Sequence, residues 1–128
     1  MATGKGVIAL VGSGEFLPGA DRLDQALLAS LEGPARVAIL PTASAPDGPG
    51  VPERWAKMGV EHFQRLGAGA EAVMLLTRQD AGSAELAERI ASANFVYLSG
   101  GKPGYLVQTL QNTACWRAIR QVFEQGGV

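Results

Sequence analysis

The short apolar runs of this sequence stop abruptly, most of them on residues that break secondary structure. Gly6-Val7-Ile8-Ala9-Leu10-Val11-Gly12 is bounded by glycines, Arg36-Val37-Ala38-Ile39-Leu40 meets Pro41, and Asn94-Phe95-Val96-Tyr97-Leu98 meets Ser99-Gly100-Gly101. Glu71 to Leu76 is a further run of the same kind. Apolar stretches this short, without polar alternation, predict strands covered on both faces, the condition inside a parallel sheet.

Helical spacing fills the intervals. Asp21 to Leu31 carries apolar residues at 23, 27, 28 and 31, one face of a helix that Gly33-Pro34 stops. Glu53 to Leu66 places Trp55, Gly59, Phe63 and Leu66 on one stripe, with Gly67 as its terminator. Ser83 is the natural cap of a helix running to about Ala93. Gly104 to Gln111 and Thr113 to Gln125 follow as helices, and Gly126-Gly127-Val128 reads as a turn into a fifth strand. Alternating strands and helices imply an α/β fold: a three-layer, open, mostly parallel sheet flanked by helices. With 128 residues and no repeat or linker, this is one domain.

Composition removes several functions. Eleven Lys plus Arg against twelve Asp plus Glu give a net charge of −1, so the basic patch of a nucleic-acid or membrane-surface protein is not expected. Aromatic residues are 6% and do not interleave with Lys or Arg, so a base-stacking platform is not expected either. No apolar run approaches the roughly 18 residues of a membrane span, and the first residues lack a signal-peptide plan. A cytoplasmic location is the expectation. The single cysteine, Cys115, excludes an internal disulfide; beside Trp116 it reads as an inert core residue. With one histidine and scattered carboxylates, no metal site is expected.

In an open parallel sheet, ligands bind beyond the carboxyl ends of the strands. That rim is Gly12 to Gly19, Pro41 to Pro52 and Ser99 to Gly104, and its candidate substrate-facing residues are Ser13, Gly14, Glu15, Thr42, Ser44, Ser99 and Lys102. Turn or capping hydrogen bonds are an equal reading for Glu15, Thr42 and Ser44. Gly12-Ser13-Gly14 begins like a dinucleotide fingerprint, but its third glycine position is Leu17 and the acidic ribose partner is missing, so nucleotide binding is a distant third reading. After the last strand, the N–H groups of Gly100 and Gly101 could face an anion or a developing oxyanion; equally, the pair could serve a strand-to-helix turn opened by Pro103. Ser99 does not sit in a G-x-S-x-G elbow, because position 97 is Tyr97, and His62 lies mid-helix beside the apolar stripe. A Ser99–His62 catalytic pair is not expected.

Taken in order, Val7-Ile8-Ala9-Leu10-Val11-Gly12-Ser13-Gly14-Glu15, Val37-Ala38-Ile39-Leu40-Pro41-Thr42-Ala43-Ser44 and Val96-Tyr97-Leu98-Ser99-Gly100-Gly101 resemble the N-terminal half of the cyanophycinase and dipeptidase E family of serine peptidases. The resemblance implies a flavodoxin-like fold of the class I glutamine amidotransferase type, truncated before the nucleophile elbow. It implies that Gly100 or Gly101 donates an oxyanion-hole N–H, while the Ser, the His and its acidic partner lie beyond Val128. The family often has Asn, Asp or Gln after the two glycines, where this chain has Lys102-Pro103. On this reading the complete enzyme cleaves peptide or isopeptide bonds of a small peptide through an acyl-enzyme, with no metal or organic cofactor required, and this chain alone is inactive. The open sheet edge is expected to associate with the missing C-terminal segment or with a second copy. The alternative is a non-catalytic binding or assembly module using the same rim.

Overall fold

The computed structural model describes residues Gly6–Val128. Its centre is β1 (Arg36–Leu40), flanked by β2 (Gly69–Ala72) on one side and β3 (Phe95–Leu98) on the other, both parallel to it. Val37 pairs with Ala70 and Phe95, and Ile39 with Ala72 and Tyr97, so the three strands are in step. From Val37 to Leu40 no residue of β1 is more than 2% exposed. Such a strand has to be covered twice, and the helices divide accordingly.

On one face Val37 and Ile39 meet Phe63, Phe95 and Tyr97, with partly buried residues of α1 (Asp21–Ala29) and α2 (Val51–Arg65) around them. On the other, Ala38 and Leu40 meet Val73, Leu75 and Ile90, roofed by α4 (Ala84–Ala91), α5 (Pro103–Leu110) and α6 (Ala114–Glu124). A one-turn helix, α3 (Arg78–Ala81), precedes α4. It forms because Thr77 and Asp80 cap each other reciprocally, while Ser83 caps α4 through the Leu86 N–H and Thr113 caps α6 through the Trp116 N–H. Among the described residues no helix is long and apolar enough to cross a membrane.

Three expectations need correction. The Gly6–Gly12 run is not a buried strand: it carries no regular structure, and Ile8 and Leu10 are 70% and 92% exposed. Gly6 and Val7 donate to the carbonyls of Phe123 and Gly127 at 2.9 and 3.0 Å, but past them no strand lies alongside among the described residues, and an apolar run without a ladder partner is not a strand. Among the described residues the sheet therefore has three strands, with the last predicted one represented by Gly127-Val128 alone. The Glu71–Leu76 strand begins two residues early and ends at Ala72, because its partner β1 is itself ended by Pro41. Val73 still donates to the Ile39 carbonyl at 2.9 Å before the chain turns away.

One polar contact is buried within the first apolar layer. Asp24 of α1, 1% exposed, meets His62 of α2 with Oδ2 and Nε2 2.7 Å apart. The Arg65 guanidinium, which can only donate, lies 3.2 Å from His62 Nδ1, so Nδ1 accepts and Nε2 carries the proton given to Asp24. Arg65 also grips Asp21 through two bonds of 2.9 Å, holding that carboxyl below the usual range. Removing one partner leaves the other buried and unmatched. Asp24→Ala is expected to lower unfolding free energy by about 2–4 kcal/mol, measured by urea denaturation. An unchanged midpoint would mean that the pair does not tie α1 to α2.

Candidate functional site

Where β1 and β3 end, their loops come into backbone contact. After Leu40 the chain turns into a 3₁₀ segment, Thr42–Asp47, and after Leu98 it passes through Ser99-Gly100-Gly101 into α5. The Lys102 N–H donates to the Ala43 carbonyl at 2.8 Å, locking the two loops together. Gly101 has φ +155°, and a Cβ there would lie 2.2 Å from the Ala43 oxygen, so only glycine permits this approach.

Along β3, alternate N–H groups point to opposite sides. Ser99 N–H donates inward to the Leu40 carbonyl at 3.3 Å, whereas Gly100 N–H, like that of Val96, points to the outer edge. There it meets the Glu15 carboxylate at 2.6 Å. An exposed backbone donor holding a carboxylate oxygen at the end of a strand is an anion-compatible position.

The remaining candidates are placed as follows. Thr42, fully buried, donates to the Leu75 carbonyl at 2.6 Å, and Ser44 to the Pro41 carbonyl at 2.8 Å, so both hydroxyls brace the loop. Lys102 Nζ lies 3.5 Å from Asp47 on the surface. Ser13 is exposed, and the Gly14 carbonyl accepts from Leu17 N–H at 3.2 Å; the stretch leads into a 3₁₀ turn at Pro18–Ala20 and follows no strand. The strand-to-helix junction that a dinucleotide fingerprint requires is absent there. Ser99 Oγ is buried without a hydrogen-bond partner, while His62 is committed to Asp24. Cys115 is buried, and burial pushes its thiol up. Among the described residues no three His, Cys, Asp or Glu side chains group to hold a metal ion.

Two features escaped sequence reasoning. Glu15 reaches Gly100 across 85 residues, a pairing with no local signature. Tyr97, on β3 facing Phe16 and Phe63, buries a hydroxyl without a partner; burial first, then the Asp24 and Glu15 carboxylates, push its pKa well above the ordinary value.

Parallel strands between two helical layers, with a Gly-Gly loop that presents a backbone donor at their carboxyl ends, make this a flavodoxin-like α/β domain. The sequence matches Peptidase family S51 over residues 8–128, and the chain belongs to that family. The crystal structure of a peptidase from an acI-B1 Actinobacterium superimposes with a TM-score of 0.92 at 32% sequence identity, over 98% of this chain and 53% of that one. The chain thus spans about half the length of that peptidase. No curated protein matches it in sequence.

Two substitutions test the site's construction. Gly101→Ala is expected to cost about 2–3 kcal/mol, because it combines a disfavoured φ with a backbone collision; chemical denaturation reads it, and a change below that scale would mean the loop can move aside. Tyr97→Phe removes an orphaned hydroxyl and should stabilise by about 1 kcal/mol, roughly 4 °C in Tm. A raised tyrosine pKa favours the neutral form in the fold, so its contribution is intact below the normal tyrosine range and lost as pH rises through it. The gap between the variant and the parent chain should therefore widen above about pH 10. A lower Tm for the variant at neutral pH would show that the hydroxyl has a partner.

Proposed function

We propose that this chain is the N-terminal portion of a serine-type hydrolase acting on peptide or isopeptide bonds, in which the Gly100 N–H is one donor of the oxyanion hole. The observation that carries the reading is the 2.6 Å bond from Gly100 N–H to a carboxylate oxygen at the rim, in a chain of Peptidase family S51. In that mechanism a serine oxygen attacks the substrate carbonyl carbon, and the carbonyl oxygen becomes an anion beside Gly100. The C–N bond then breaks, the amine leaves with a proton, and water hydrolyses the ester. One oxyanion donor contributes about 3 kcal/mol to such a step. Glu15 has to leave Gly100 before a substrate oxygen takes its place.

The nucleophile and base are not supplied by the described residues on this reading. His62 is buried and donates to Asp24, and Ser99 Oγ has no histidine partner. A chain lacking both groups retains only binding and oxyanion effects, several orders of magnitude short of the full rate. A cytoplasmic setting belongs to the same proposal.

Two measurements test it. The 128-residue chain, incubated with aspartyl dipeptides and isopeptides, should hydrolyse them no faster than buffer and should not be labelled by a serine-directed fluorophosphonate. Robust turnover sensitive to that reagent would overturn the assignment of the nucleophile. In Glu15→Ala the freed donor should shift its Gly100 amide resonance when titrated with N-acetylaspartate. A resonance that stays put would remove Gly100 from the oxyanion role.

A further inference from the structure

Of the three helices that roof the Ala38–Leu40 face, α4 and α6 start on a side-chain cap and α5 does not. Lys102 stands at its N-cap, and an ammonium group can only donate. Pro103 and Gly104 follow, the first without an N–H and the second a poor helix former. The start of α5 therefore has no local hold, yet it receives the chain directly from Gly100-Gly101.

The hold comes from the segment that follows β2. Tyr105, half-buried on the first turn of α5, donates its hydroxyl to the Leu76 carbonyl. The neighbouring Leu75 carbonyl accepts from Thr42, so both rim loops are tied to the same stretch of backbone. That stretch is itself fixed. The N–H groups of Leu76 and Thr77 both donate to Asp80 Oδ2, at 2.9 and 3.0 Å, and the Asp80 N–H closes the turn on Thr77 Oγ1 at 3.2 Å. From the same turn the Arg78 guanidinium donates to the Gln108 and Gln111 carbonyls, both at 2.9 Å. The one-turn helix α3 thus holds α5 at both ends.

We propose that Tyr105 is a positioning residue for the Gly100 anion donor: its hydroxyl, seated on the Leu76 carbonyl that Asp80 fixes, sets the start of α5 and with it the direction of the glycine pair. Its functional meaning rests on the oxyanion reading of Gly100, whereas its geometry rests on the brace alone. On the strand side the last bond, from Ser99 N–H to the Leu40 carbonyl, is long at 3.3 Å. Beyond it two consecutive glycines leave the backbone unusually free. The Lys102 N–H bond to Ala43 fixes one point on the far side of that pair. A single point leaves the chain free to pivot, and the Tyr105 bond on the same helical turn removes the pivot. An oxyanion donor acts only when it is aimed in advance at the developing charge, so the loss of such a brace is felt at Gly100.

Tyr105→Phe keeps the ring and removes only the donor, and two NMR readings on the 128-residue chain follow its effect at Gly100. Solvent exchange of the Gly100 amide, bonded to Glu15 in the parent chain, should quicken by about fivefold, the scale of one ordinary hydrogen bond. In the Glu15→Ala background the dissociation constant for N-acetylaspartate, read at the Gly100 resonance, should rise by about the same factor. Ile90→Val lies in the same apolar layer, takes part in none of these bonds and lowers stability on a comparable scale. It should leave both readings at their parent values. Two results would overturn the proposal: Gly100 unchanged in Tyr105→Phe, or Gly100 altered as much by Ile90→Val, which would reduce the effect to a general loss of stability. Failure of Glu15→Ala to bind the probe at Gly100 would remove the oxyanion reading instead, and the exchange comparison would still decide the brace.

Discussion

A strand with no polar face is the constraint on which the rest of this molecule depends. Val37, Ala38, Ile39 and Leu40 are all within 2% of complete burial, and water on either side of them would undo most of the fold's apolar gain. Covering both faces requires two layers of helix. Covering both edges requires β2 and β3, and right-handed parallel crossovers then leave the helices distributed as observed. The aromatic cluster on one face shows how strongly that cover is enforced. Phe16 adopts a left-handed conformation at φ 64°, a cost of about 1 kcal/mol, to bring its ring 4.7 Å from Tyr97 and 6.4 Å from Phe63. Burying the ring offsets that cost about twofold.

Where the sequence predicts this architecture correctly, the signal is local. β1 and β3 are recognisable because their residues are apolar on both faces and are ended by Pro41 and by Ser99-Gly100-Gly101. Ser83 and Thr113 announce their helices through side chains that act within three residues. β2 is displaced because its limits are set by β1, not by its own composition. The Val7–Val11 run is composed like an inner strand, yet strand formation requires a ladder partner, and composition says nothing about whether one is present.

The same division governs the site. Gly100 and Gly101 could be singled out because paired glycines after a buried strand have few purposes. That Gly101 is indispensable for its closeness to Ala43, while Gly100 turns its N–H outward, depends on strand alternation and is visible only once β3 is paired. The Glu15 contact and the Asp24–His62 pair join residues 85 and 38 positions apart, so no motif could have contained them. Thr42 and Ser44 are polar residues at the rim in sequence and structural braces in space, since each hydroxyl reaches a carbonyl before it reaches the open groove.

The outer edge of β3 brings these features together. Its N–H groups at Val96, Leu98 and Gly100 form one row: the first is bonded to Val128, and the last holds Glu15. Backbone register is a more rigid ruler than side-chain packing, because a slip of one residue exchanges the buried and exposed faces of the whole strand. The Gly100 N–H is therefore placed by the pairing of β3 with β1, and Gly127 lets Val128 lie against Asn94 on the same edge. A site built this way positions its anion donor through the hydrogen-bond ladder of the fold, and its local side chains remain free to vary.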